Sequence, residues 1–192
     1  LGPRQMLRRY SVADVAHRVV GVGSVGTRAY LVLLFGNGDK DPLFLQVKEA
    51  GVPAHAPYVA PFPWKGVPHH GYRVVVAQRM LQAEGDPLLG HTAIDGRDYF
   101  VRQMKNMKAS IPLEWLIGEP FYFWEFVCAG LLARAHSRMG DAAKIAGYCG
   151  KSEVLGEALA EFAESYGDQT ETDHASLVKA IKKGRVEALE GI

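Results

Sequence analysis

Cysteine is nearly absent from this chain, with only Cys128 and Cys149 among 192 residues. Two thiols in apolar, helix-like surroundings form neither a disulfide scaffold nor a metal-binding spacing. They read as free buried side chains, and a reducing cytoplasm fits them. No uninterrupted apolar run approaches the ~18 residues of a spanning helix, so no membrane partner is expected. Arg4, Arg8 and Arg9 interrupt the start where a signal peptide would need an apolar stretch. Charge of one sign is also missing. The 22 Lys and Arg against 21 Asp and Glu leave a net charge of +1, so no global field draws nucleic acid or an anionic membrane. There is no internal repeat, no low-complexity tract, no histidine pair at zinc-helix spacing, and no Ser/His/Asp or Cys/His nucleophile arrangement. The first residue is Leu1 rather than methionine, and a piece of a longer protein is expected.

Glycine is plentiful, at 21 residues, and its placement is informative. Gly21-Val22-Gly23-Ser24-Val25-Gly26 is a G-x-G-x-x-G run. In a dinucleotide-binding βαβ unit the last glycine opens a helix. Here Thr27–Phe35 is rich in bulky apolar residues and ends at Gly36-Asn37-Gly38, which predicts a strand leaving by a tight turn. The next segment, Leu43–Glu49, alternates and sets Phe44, Gln46 and Lys48 on one face. Strand, glycine loop, strand, turn and a strand carrying lysine is the order of a protein-kinase small lobe, whose loop lies over nucleotide phosphates. The same glycines also suit a hairpin that merely needs positive φ, and Lys48 also suits a lysine snorkelling at a sheet edge.

The remaining elements follow from periodicity. Arg4–Ala16 is loosely helical and leads to a first strand near 17–23. Residues 51–70 carry five of the ten prolines, with Tyr58, Phe62 and Trp64 between them, and read as a long loop packing its aromatics on the body. A helix is predicted over Gly71–Glu84, ended by Gly85-Asp86-Pro87. Strands at Leu88–Ile94 and Asp98–Met104 are joined by Asp95-Gly96, a hairpin signal. After Pro112 the period becomes 3.6, with helices over about 124–139, 153–166 and 172–189. The fold class is therefore α+β, with an antiparallel sheet of about five strands and one covering helix in 1–105 and a helical part in 106–192.

Other polar groups are weaker candidates. Arg102 shares a face with Phe100 and Met104 in the strand at the kinase hinge position, as a cleft cation or the partner of an acid. His136 and Asp141 lack the His-x-Asp spacing and following Asn of a kinase catalytic loop, so His136 reads as a helix-end residue and Asp141 as an N-cap. Asp168, Glu171, Asp173 and His174 offer metal-ligand chemistry. A junction between two helices, capped by Thr170 or Thr172, accounts for them better.

Several stretches together resemble a bacterial family known as domain-of-unknown-function family 2252. They are Val19–Arg28, Leu43–Ala50, Gln78–Gln82, Tyr99–Gln103, Leu132–His136 and Asp168–His174, which with Asp14–Ala16 span nearly the whole chain. The resemblance implies that this is the C-terminal portion of a longer protein. Its upstream G-D-x-H-x-x-N and D-x-N-D-F-D segments resemble the catalytic and metal loops of aminoglycoside and choline phosphotransferases, in circularly permuted order. The expected function is the nucleotide-binding portion of a kinase-like phosphotransferase, catalytically incomplete here, using ATP and Mg2+ on an unknown small-molecule or protein substrate. Gly21, Gly23, Ser24 and Gly26 would cover the phosphates, with Lys48, Gln78 and Arg102 as the nucleotide-binding side chains. Kinases pair the lysine with a helix glutamate. Here the helix offers Gln78 and Gln82 on its middle turns, so Glu49 or an upstream residue would have to substitute. A non-catalytic binding or interaction module, with the 51–70 loop and Trp64 as its partner site, is the competing expectation.

Overall fold

The structure is a computed structural model that describes residues 3–19, 21, 26–59, 68–104 and 109–188. It separates into two compact units, Leu1–Gly140 and Asp141–Ile192.

The first unit is built on a five-stranded antiparallel sheet of order β1-β2-β3-β5-β4, with β1 (Ser11–His17), β2 (Ala29–Phe35), β3 (Pro42–Glu49), β4 (Gly90–Ile94) and β5 (Arg97–Gln103). Four of these, β2 to β5, fall where alternation and turn chemistry predict strands. Asp95 and Gly96 have φ of 50° and 71°, the left-handed pair that a two-residue hairpin with right-handed twist requires, and Ile94 faces Arg97 across it.

The first strand differs from expectation. Residues 4–16 are helical only at α1 (Pro3–Met6) and a 3-10 turn at Leu7–Arg9, and β1 occupies the rest. It ends where the predicted strand begins. Ser11–His17 has weak strand character of its own and is held by pairing with β2, from Ser11 against Phe35 to His17 against Tyr30. Cross-strand partners override local propensity in this way. β1 is an exposed edge, and a register shift between Val12 and Asp14 bends it, a feature that blunts edge-to-edge pairing.

Pleat alternation and antiparallel register sort the side chains into two faces. Leu43, Leu45 and Val47 of β3 share a face with Leu34 and Val32 of β2 and with Tyr99 and Val101 of β5. This is the core side: Leu34, Leu43, Leu45 and Leu88 are buried together, with Leu7, Tyr10, Val32 and Val101 packed against them. α2 (His70–Leu81) covers the same side, since its Val75 lines one cavity with Leu7, Leu88 and Val101. The other face carries Phe44, Gln46 and Lys48 of β3 with Phe100 and Arg102 of β5.

α2 begins one residue before its predicted start, where the His69 ring accepts a hydrogen bond from the Tyr72 N–H, and stops at Leu81. α3 (Glu119–Met139) packs on α2, with Arg138 Nε donating to the Met80 carbonyl at 3.0 Å. His136 lies in its last turn, as expected.

The second unit holds α4 (Ala142–Cys149) and α5 (Val154–Lys182). Asp141 caps α4 as predicted, accepting from the N–H groups of Ala143 and Lys144 at 3.1 Å each. The junction expected near 166–174 does not exist, because one helix runs through it. Thr170 and Thr172 cap nothing: their hydroxyls donate back to the carbonyls of Tyr166 and Asp168. Local hydroxyl chemistry suggested a break, and the continuous 3.6 period overrode it. Asp168, Glu171, Asp173 and His174 are thus spread along an exposed helix, and no metal-binding group of three occurs among the described residues.

Two smaller expectations also fail. Cys128 is half-buried and Cys149 exposed, so neither is a core thiol. Tyr58 is 86 % exposed rather than packed on the body. Phe62 and Trp64 lie outside the described residues. No described helix is long and apolar enough to cross a membrane.

Candidate functional site

The glycine run occupies the connection between β1 and β2, which the hydrogen bond from Arg18 N–H to the Ala29 carbonyl closes at 2.8 Å. Gly21 is exposed, and a Cβ there would meet nothing. Gly26 has φ of +82°, a conformation that a side chain would strain, so its identity follows from backbone geometry alone. Gly23 and Ser24 lie outside the described residues.

Lys48 sits in β3 one step from where the loop returns, with Ala29 of β2 and Phe100 of β5 as its cross-strand neighbours. Arg102 shares its face. The Arg102 guanidinium donates through Nε and Nη2 to one oxygen, Oε1 of Gln46, at 3.0 and 2.9 Å. Gln46 is only 5 % exposed, so it is a buried prop that aims the guanidinium. Of the two roles that the sequence left open for Arg102, this partner is an amide and not an acid. Arg18, at the base of the glycine connection, joins the same face by donating from Nη1 to the Met104 sulfur at 3.2 Å.

Three cations therefore converge on one side of the sheet. Burial pushes the Lys48 ammonium below its ordinary pKa first, and Arg102 and then Arg18 add like-charge repulsion. Arginine forks held beside a lysine form a receptor for oxyanions, because planar N–H pairs match carboxylate and phosphate oxygens. An anion placed there would relieve the repulsion as well as gain hydrogen bonds.

Glu49 does not serve as the lysine's partner. Its side chain follows the alternation onto the opposite face, where it accepts from Arg97 Nη1 at 2.8 Å and from the Arg28 N–H at 3.0 Å. The Glu49 N–H returns a bond to the Arg28 carbonyl at 2.9 Å. Glu49 thus clamps the exit of the glycine connection to β3 and β5. Gln78 is half-buried on α2, the helix that packs on the Val101 side.

Sequence reasoning singled out Lys48 and Arg102, which share this face, but not Arg18 or the propping role of Gln46. Arg18 stands three residues before Gly21, at the start of the glycine run, a visible signal. Its approach to Met104, 86 residues later, depends on the pairing of the strands.

The pattern of a family described as "Uncharacterized protein conserved in bacteria (DUF2252)" matches residues 2–180. No curated protein and no solved structure matches the chain.

Proposed function

The chain belongs to the bacterial family DUF2252, and from the site it carries we propose that it is the nucleotide-binding portion of a kinase-like phosphotransferase. Lys48, Arg102 and Arg18 take the phosphates of ATP, and the backbone of the Gly21–Gly26 run covers them. The observation that carries this reading is the convergence of three cations beside a glycine connection. The chain order supports it: strand, glycine run, strand, lysine strand, helix and strand pair.

One departure from protein kinases narrows the reading. α2 covers the opposite face and Glu49 is engaged by Arg97 and Arg28. Arg102 and Arg18 share the Lys48 side of the sheet and press like charge on its ammonium, an arrangement suited to holding phosphate charge. Among the described residues no cluster of carboxylates or histidines is set to hold a metal, so Mg2+ would enter with the nucleotide. A catalytic base and metal ligands would come from the G-D-x-H-x-x-N and D-x-N-D-F-D segments that family resemblance implies, neither of which occurs in these 192 residues. The chain alone binds and does not turn over.

Calorimetric titration with Mg-ATP and with inorganic tripolyphosphate, on the wild type, Lys48→Met and Arg102→Gln, tests this. Losing one charge-assisted contact of about 1.5–3 kcal/mol should weaken binding about ten- to hundredfold. Tripolyphosphate binding without ATP binding would reduce the site to a phosphate receptor. Equal affinity in Lys48→Met, or no heat with either ligand, would overturn the assignment.

A second reading, a non-catalytic interaction module, is favoured by a different observation. Tyr122, Phe123 and Phe126 of α3 are all more than two-thirds exposed, and apolar surface of that kind marks contact sites. In that case partner binding would survive Lys48→Met.

A further inference from the structure

On the face opposite Lys48, α1, α2 and the β4–β5 pair surround a cavity of about 450 Å³, within the range of small-molecule sites. Its floor is apolar, formed by Leu7, Val75, Leu88 and Val101. Its polar groups are cationic or neutral: Arg4 from α1, Tyr72 and Arg79 from α2, and His91 from β4. No Asp or Glu lines it among the described residues.

The polar side is also fixed in place. Arg79 Nη2 donates to the Leu89 carbonyl at 2.9 Å, which anchors one arm of the guanidinium. The His91 ring stands edge-on to Tyr72 at 5.2 Å and to His69 at 4.7 Å between centroids. Two arginines and an imidazole at one end of an apolar hollow complement one kind of ligand.

We propose that this cavity binds an anionic amphiphile, a small molecule with an apolar body on Leu7, Val75 and Val101 and an oxyanion head against Arg4, Arg79 and His91. Head groups of the carboxylate and phosphate-ester classes share this chemistry. The site is independent of the nucleotide reading, because it lies on the other side of the sheet.

The His91 ring supplies a local reporter. Burial lowers its pKa, and His69, Arg79 and Arg4 lower it further, whereas Asp98 of β5 opposes them. A bound oxyanion would add a negative charge beside the ring and raise its pKa, by about one unit for an opposite charge within a few ångströms. The test is a pH titration of the His91 ring by nitrogen-resolved NMR on the whole chain, alone and with sodium octanoate, octyl phosphate, octylamine or octanol. Octanoate, octyl phosphate or both should raise the His91 midpoint and shift Tyr72 and Val75. Comparing the two identifies the head class. Arg4→Gln, in a short helix, and Arg79→Met should each weaken binding, read at His91, about fivefold or more. An unmoved His91 midpoint with both anions, or equal binding of octylamine or octanol, would overturn the proposal.

Discussion

Gly71 stands where α2 meets β5, and a Cβ built there would overlap the carbonyl of Tyr99. The obstacle is backbone in a paired strand next to a nearly fully buried side chain, so it has little room to yield. Gly71→Ala should therefore destabilise the first unit by about 1–3 kcal/mol or more through overpacking, read as a lowered urea midpoint. Gly21→Ala, with open space around its Cβ, should leave that midpoint unchanged. Glu49 carries the clearest pH signature. The Arg28 N–H, then Arg97, hold its carboxyl below the ordinary glutamate value of about 4.3. A carboxyl depressed in the folded state contributes stability that is present above the unfolded value and lost as the pH falls through the folded one. Urea midpoints of the wild type should drop as pH falls below about 4.3. Glu49→Gln should be less stable at neutral pH and flatter over that acid range. An unchanged acid limb in the variant would refute the clamp.

At the scale of elements, the continuity of α5 makes an opposite prediction from the capping that its Thr-rich stretch suggests. Replacing a true N-cap threonine by alanine costs about 1 kcal/mol. Thr172 lies mid-helix with its hydroxyl bonded to the Asp168 carbonyl, where threonine is a poor helix former and such back-bonding offers little. Thr172→Ala should raise the thermal midpoint or leave it in place. Gly167→Ala, also inside α5 and facing open space, should raise helicity and stabilise by up to about 1 kcal/mol. A fall in circular-dichroism helicity in either variant would restore the two-helix reading. Elements with strong local chemistry were legible from the residues. Asp95-Gly96 forces one turn type, β3 alternates over its whole length, and Asp141 is set to cap the helix it precedes. β1 was not legible, because its strand character comes from Phe35, Leu34 and the rest of β2 rather than from Ser11–His17 themselves.

At the scale of the molecule, the most conspicuous property is apolar surface on α3. Phe126 is 76 % exposed and Tyr122 and Phe123 are 69 % exposed each. Phe126→Arg removes apolar area without opening a core. It should change folding stability by less than about 0.5 kcal/mol and reduce concentration-dependent association in light scattering. Unchanged association would show that this face is not the adhesive one.

The residues alone determined the features that need only near neighbours. Steric limits place glycine at positions 26 and 96, a period of two makes β3 a strand with Lys48 and Gln46 on one side, and a period of 3.6 makes the second half helical. Only tertiary structure decided which partners those features would meet. It brought Arg18 to the face of Lys48 and Arg102, turned Glu49 away to Arg97, and laid α2 and α1 over the other side to enclose a second, cationic hollow. Those outcomes depend on strand pairing and packing between residues tens of positions apart, where the free energy lies in shared burial and register and not in any local preference.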